Sequence, residues 1–337
     1  MNKPKALFTV ETEYHFNRVY GPEVRKAIGM VFDIPDKVYT KAELLADKTI
    51  SADVEYIFST WSISIFTHEE VKELFPKAKC LYYAAGTVQA FARPFLDNGI
   101  RVFSAWGANA IPVAETTLAQ ILLANKGFFN NLIKNKQEGF TTAAKYFNET
   151  YPGNFNVEVG IIGAGMIGKL VIQLLKPFRI KVKVFDPFLP DEKAEELGVT
   201  KTSLEDIFTN CQTISNHLAN NSQTQGMLNY NLFKLMKPGA TFINTGRGAQ
   251  VVEADLVRAL KEEPNRTAVL DVTWPEPPVE GSEITQLPNI YLTTHIAGSS
   301  GYETWRMAEY MLEESMKVLE GKQPLYEVTY KMLETMA

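Results

Sequence analysis

Two sets of residues in this chain have the types and spacing to do chemistry. The first is Gly163-Ala164-Gly165-Met166-Ile167-Gly168, a G-x-G-x-x-G. It follows an apolar run (Val157, Val159, Ile161, Ile162) and opens a stretch that puts Ile167, Leu170, Val171, Leu174 and Leu175 on one helical face. A second apolar strand over 181–185 then ends at Asp186, about twenty residues on, which completes the context that a dinucleotide grip requires. In that grip Gly163 makes the tight turn, Gly165 lets backbone approach a pyrophosphate, and Gly168 lets helix and strand pack closely. Met166 and Ile167 lie at the helix start, where free N–H groups and the positive dipole end face the phosphates. Asp186 is placed to accept hydrogen bonds from adenosine ribose hydroxyls. A 2′-phosphate there would meet a carboxylate, and Asp186-Pro187-Phe188 brings no arginine, which selects NAD over NADP. The second set is Arg247, Glu276 and His295, each of which follows a predicted strand of the same region. Ligands of open parallel sheets bind beyond those strand ends. Of the four histidines (His15, His68, His217, His295), His217 and His295 stand at such ends.

The elements that must hold these residues alternate between strand and helix along the chain. Strands are expected over 5–10, 54–59, 80–85 and 101–104, with helices over 17–32, 41–46, 67–74 and 90–98. Thr67 is expected to cap its helix, with Glu69 and Glu70 in the first turn. Trp106-Gly107-Ala108-Asn109 reads as a first hinge and 112–125 as a long helix apolar on several sides, whereas 139–156 is polar and aromatic, with Pro152-Gly153 marking a loop. Beyond the glycine motif come strands over 213–216, 240–244, 267–272 and 289–293, helices over 202–208, 230–236 and 253–261, a second hinge at Gly298 and Gly301, and a last helix over 302–320. The expected fold is α/β, with two Rossmann-like domains built on doubly wound parallel sheets. An NAD-binding domain over 109–299 is inserted in a smaller, flavodoxin-like substrate domain made of 1–108 and 300–337.

Composition narrows the classes of function. At 337 residues, 45% hydrophobic and 22% charged, the chain reads as an ordinary globular protein of two domains. A net charge of −5 gives no electrostatic reason to expect a nucleic acid or an anionic membrane as partner. No apolar run reaches the roughly 18 residues that span a bilayer, and the first residues lack the long apolar core of a signal peptide. Cys80 and Cys211, far apart and in no metal spacing, suit a reducing, cytoplasmic setting with neither disulfide nor metal site.

Asn244-Thr245-Gly246-Arg247-Gly248, Asp271-Val272-Thr273-Trp274-Pro275-Glu276-Pro277 and Thr294-His295-Ile296-Ala297-Gly298 stand in that order after the glycine motif and its acid. Together they resemble the D-2-hydroxyacid dehydrogenase family, which includes D-lactate, phosphoglycerate and hydroxypyruvate-reducing enzymes. Ala85-Gly86 and Gly107-Ala108-Asn109 with Val113-Ala114-Glu115 extend the resemblance over nearly the whole chain. It implies a hydride moved between NAD(H) and the carbonyl carbon of a 2-ketoacid. Negative charge then grows on the carbonyl oxygen, which needs a proton; His295 is the expected donor. A carboxylate on the far ring nitrogen fixes orientation, the expected part of Glu276. A guanidinium can hold the substrate carboxylate and polarise the carbonyl, the part of Arg247, whose flanking glycines imply tight backbone beside a ligand.

The same resemblance puts His217 on the nicotinamide side, Thr224, Thr245 and Asp271 among the cofactor-side residues, and backbone N–H groups of Trp61, Ser62 and Ile63, with Gly86 nearby, on the substrate carboxylate. It also implies a homodimer acting on a small-molecule substrate. The chain departs from the family pattern at Ala219, which stands where a proline is usual, and at Trp274, which replaces a frequent acid. The STWSISIF loop carries no Arg or Lys, so an unphosphorylated substrate is expected. The competing expectations are an NAD-sensing, non-catalytic protein like the co-repressors of this fold, and a formate or phosphite dehydrogenase on the same scaffold.

Overall fold

The computed structural model describes residues 3–334. The strands, in chain order, are β1 (Ala6–Thr9), β2 (Val38–Tyr39), β3 (Tyr56–Ser59), β4 (Cys80–Tyr83), β5 (Arg101–Ser104), β6 (Glu158–Ile162), β7 (Lys181–Phe185), β8 (Thr200–Lys201), β9 (Thr213–Asn216), β10 (Thr241–Asn244), β11 (Thr267–Leu270), β12 (Ile290–Leu292) and β13 (Glu327–Val328). They fall into two compact units. One runs to Asn109 and resumes at Ser299; the other is Ala110–Gly298.

The first unit holds a six-stranded sheet in the order β13-β5-β4-β3-β1-β2. All its pairs are parallel except β13 on β5, and β2-β1-β3-β4-β5 is the flavodoxin-like order. Every residue of β1, β3 and β4 is buried, as strands covered on both faces must be. Aromatic rings run across this sheet: Phe58 stacks on Tyr82 at 5.2 Å and Tyr82 on Phe103 at 4.9 Å. The second unit holds seven parallel strands, β12-β11-β10-β9-β6-β7-β8. In this order the chain winds outward from β6 to β8, then crosses back to β9 and winds the other way. The switch point is therefore the gap beyond the ends of β6 and β9, where a doubly wound sheet takes its ligand.

Three segments differ from the sequence expectation, each for a local reason. The helix expected over 17–32 is two helices, Glu13–Val19 and Pro22–Val31. Gly21 is extended, as a residue before proline must be, and a Cβ on it would lie 2.9 Å from the Trp305 ring. The helix expected from 112 begins at Trp106, so the segment read as a hinge is its first turn and Pro112 lies inside it. Gly107 lets that turn press on Tyr326, and Trp106 meets the same ring edge-on at 5.3 Å. The stretch 128–150, given no element in the sequence reading, is helical: Phe128–Glu138 and Phe140–Thr150 form a hairpin about Gly139, whose φ is +83°, and Pro152-Gly153 lies outside helix and strand as expected. By contrast Thr67 caps its helix as expected, in a reciprocal box with Glu70. Among the described residues no helix is long and apolar enough to cross a membrane, and no cluster of three metal-ligating side chains occurs.

Candidate active site

The glycine turn joins β6 to the helix Met166–Leu175. Gly163 has φ +90°, and a Cβ on it would stand 2.7 Å from the His217 carbonyl oxygen. A Cβ on Gly168 would overlap the Gly163 carbonyl. Both are therefore demanded by the chain's own packing. Gly165 is not: no heavy atom lies within 4 Å of its Cβ position, and its backbone is ordinary extended. Met166 is 43% exposed at the first position of the helix and Ile167 follows it. Asp186 stands just past β7; its Oδ2 accepts from Ala164 N at 2.7 Å and its Oδ1 from Phe188 N at 2.8 Å. The acid thus braces the glycine turn while closing its own turn.

Arg247, Glu276 and His295 lie on loops after β10, β11 and β12. His295 Nδ1 meets Glu276 Oε1 at 2.7 Å. The His295 side chain stays 46% exposed, so the outer edge of the ring remains reachable. Glu276 sits between Pro275 and Pro277, both joined by cis peptides. Burial pulls the pKa of the Arg247 guanidinium below its usual value while the charge of Glu276 pushes it back up. Arg247 Nη1 donates to Gly246 O at 2.9 Å.

His295 itself has φ +60°, in the left-handed region, and its loop is held from below by Asp271. That carboxylate is 2% exposed. Its Oδ1 accepts from Thr293 Oγ1 at 2.5 Å and Ile296 N at 2.8 Å, and its Oδ2 from Ala297 N at 2.9 Å. Asp271 thus fixes the segment on both sides of the histidine.

His217, after β9, is 8% exposed. Its Nε2 pairs with Ser215 Oγ at 2.9 Å, and its buried Nδ1 has no partner among the described residues. Burial pulls its pKa down to about 3, so the ring is neutral at ordinary pH. Thr245 Oγ1 pairs with Thr117 Oγ1 at 3.0 Å inside the unit. Thr224 Oγ1 donates to Ala219 O at 2.6 Å and accepts from Asn221 N at 3.1 Å, closing the 219–224 turn. The open approach at Gly165, the orphaned buried nitrogen of His217 beside Gly163, and the switch-point position together fit a dinucleotide.

Sequence reasoning gave no role to Asn216, Asn244 or Gln250, three buried amides joined to one another beneath Arg247. Asn216 and Asn244 stand at the ends of β9 and β10 and Gln250 in the turn after Arg247, and polarity there is the one signal they carry in sequence.

In the first unit, Trp61, Ser62 and Ile63 follow β3, and Gly86 lies in the loop after β4. Ser62 has φ +62° and its carbonyl accepts from Glu11 N at 2.9 Å. Ile63 N closes a turn onto Thr60 O at 3.1 Å. The Arg18 guanidinium lies over the Trp61 ring, 5.3 Å from its centroid. The Gly86 carbonyl accepts from Ser104 Oγ at 2.5 Å.

Residues 119–297 match the family model described as D-isomer specific 2-hydroxyacid dehydrogenase, NAD binding domain. A putative 2-hydroxyacid dehydrogenase of Bacillus subtilis is 32% identical over 233 residues, 68% of this chain and 66% of that protein. A D-3-phosphoglycerate dehydrogenase of the same organism is 30% identical over 228 residues, 66% of this chain and 42% of its own length. The chain thus spans less than two thirds of either relative. The crystal structure of a phosphoglycerate oxidoreductase from Rhizobium etli superposes with a TM-score of 0.79 over 98% of this chain and all of that one, at 23% identity, a likeness of fold. With its glycine turn, switch point and strand order already those of a dinucleotide-binding sheet, the chain belongs to the D-isomer specific 2-hydroxyacid dehydrogenase family, with an NAD-binding domain over 119–297.

Proposed function

We propose that this chain is an NAD-dependent oxidoreductase that interconverts a D-2-hydroxyacid and the corresponding 2-ketoacid, with His295 as acid and base. The observation that carries this reading is the 2.7 Å pair between His295 Nδ1 and Glu276 Oε1, in a loop cluster that also holds the charge of Arg247. NAD, when bound, supplies or accepts the hydride. Glu276 holds Nδ1 and so turns Nε2 outward, where it can give a proton to the carbonyl oxygen as charge develops there. Arg247 offers a planar fork of donors to the substrate carboxylate.

On the first unit we take Trp61, Ser62 and Gly86 to face the substrate. The N–H of Ile63 is already engaged with Thr60 O, which favours its two predecessors as donors. The loop has no Arg or Lys of its own, which supports an unphosphorylated substrate. Phe128, Leu132 and Phe140, exposed on the helical hairpin, support a homodimer. The free, buried Cys80 and Cys211 agree with a cytoplasmic setting.

The test is NADH oxidation against glyoxylate, pyruvate, hydroxypyruvate, bulkier ketoacids and phosphohydroxypyruvate, with His295→Ala alongside. We expect turnover on an unphosphorylated ketoacid and a loss of about 10²–10⁴-fold in the variant, with NADH still bound. Equal turnover in the variant removes His295 as the acid; highest efficiency on the phosphorylated compound removes the substrate reading alone.

A further inference from the structure

The side chain of Gln250 is fully buried and makes four hydrogen bonds, each to a part of the site. Its Nε2 donates to Leu218 O at 2.8 Å and Ala219 O at 3.0 Å. Its Oε1 accepts from Asn216 Nδ2 at 2.6 Å and from Arg247 N at 3.4 Å. The amide can stand only this way round, since a flip would set oxygen against two carbonyls and NH₂ against two donors. The two neighbouring amides extend it. Asn216 Nδ2 also donates to Asn244 Oδ1 at 3.0 Å, while Asn244 takes Gly246 N at 3.1 Å and gives to Arg247 O at 3.1 Å. Gly246 makes room for the cluster: a Cβ there would lie 3.2 Å from Gln250 Oε1 and 3.3 Å from Asn216 Nδ2.

One end of this cluster therefore fixes the backbone on both sides of the Arg247 side chain. The other end grips the segment that follows His217, whose carbonyl presses on Gly163 of the dinucleotide turn and whose N–H bonds to Ile162 O at 2.7 Å. No proline stiffens the segment 217–219, and Gln250 ties it through the Leu218 and Ala219 carbonyls. An apolar side chain could fill the space. A buried amide with every group paired fixes one arrangement of its partners, and a half-satisfied network is costly, so its members move together or not at all.

We propose that Gln250 is a positioning residue that couples the two ligands of the site, linking the backbone of the carboxylate-binding Arg247 to the 217–219 segment packed on the dinucleotide turn. The proposal rests on the reading of Arg247 and NAD given above. It requires that a carboxylate ligand and NADH strengthen each other's binding, and that the reinforcement pass through this amide.

The experiment is NADH binding, followed by fluorescence, with and without saturating oxamate, a carboxylate that carries a carbonyl beside it. In the wild-type protein oxamate should tighten NADH binding at least fivefold. Gln250→Met should still bind each ligand alone but show less than twofold coupling. Gln250→Asn, which keeps the amide but falls one methylene short, reads the same quantity should the methionine variant not fold; its coupling should drop in the same direction. Thermal unfolding of the ligand-free proteins separates loss of fold from loss of coupling, which a purely structural role would leave intact in the folded variant. Undiminished coupling in a folded variant, or none in the wild type, overturns the proposal. Because the readout is binding, it stands apart from the His295 test. A chain that couples NADH to oxamate yet reduces no ketoacid loses the functional reading and keeps this one.

Discussion

Two histidines follow strand ends in the second unit, and their surroundings are opposite. His295 is half exposed and paired with a carboxylate, so it can exchange a proton with a ligand. His217 is sealed in, and its pKa of about 3 keeps it neutral. The second environment has a consequence for stability. Below about pH 6.5 an unfolded chain protonates His217, whereas the native chain resists until about pH 3. The unfolded state then binds more protons, so stability falls as pH falls, by roughly 1.4 kcal/mol per unit from this residue, and is flat above pH 6.5. His217→Gln should flatten that part of the slope. Urea unfolding of both proteins at pH 7, 6 and 5 checks it, and parallel losses in the two would remove the assignment. Candidates at this scale were legible: Arg247, Glu276 and His295 stand in stretches that resemble the family's, and are of the types that ketoacid chemistry would use. What each carboxylate holds was not. All three bonds of the two Asp271 oxygens go to the His295 segment, and a contact across 22 to 26 residues leaves no mark on local sequence.

The glycine turn shows how one element can carry two kinds of constraint that look alike in sequence. Gly163 and Gly168 are imposed by the chain, through the His217 carbonyl and the turn's own backbone. A Cβ on Gly165 would meet nothing of the chain, and its backbone is one that any residue can adopt, so the chain's own packing does not require glycine there. Alanine should therefore separate them. Gly168→Ala forces the helix off its strand and should cost about 1–3 kcal/mol, seen as a drop of several degrees in Tm. Gly165→Ala should leave Tm unchanged and weaken NADH binding at least tenfold. Thermal unfolding and NADH fluorescence on the pair decide it; a Gly165 variant that binds NADH like the wild type would show that the phosphates lie elsewhere. The strongly periodic segments around this turn were legible for the same reason that the turn was, since a buried strand and an amphipathic helix each repeat their pattern. The helix from Trp106 was read too short because Gly107 and Pro112 both argue against helix locally, and packing of Gly107 on Tyr326 overrides them.

For the whole molecule, composition excluded more than it specified. A net charge of −5 gives no electrostatic reason to expect a polyanion as partner, and does not say where the chain would meet another protein. A candidate surface is the hairpin Phe128–Glu138 and Phe140–Thr150, inconspicuous in sequence because its apolar residues are spaced among Asn, Lys, Gln and Thr. Folded, it exposes Phe140 at 79%, Leu132 at 44% and Phe128 at 41%, around a groove of about 420 Å³ lined by Phe128, Phe140, Ala143, Ala144 and Phe147. An apolar patch of this kind, bordered by Asn131, Asn135 and Asn148, has the make-up of an interface core with a polar rim. A second copy of the chain is the occupant consistent with the family reading, since a C2 pair needs one self-complementary surface. Phe140→Asp sets a charge at the most exposed ring of the patch and far in sequence from every glycine, acid and histidine of the site. Sedimentation velocity should then show the wild type at about twice the 37.8 kDa of one chain and the variant at that mass, each with the same NADH affinity. A wild type that sediments as a single chain across the micromolar range would leave the exposed ring to a different partner.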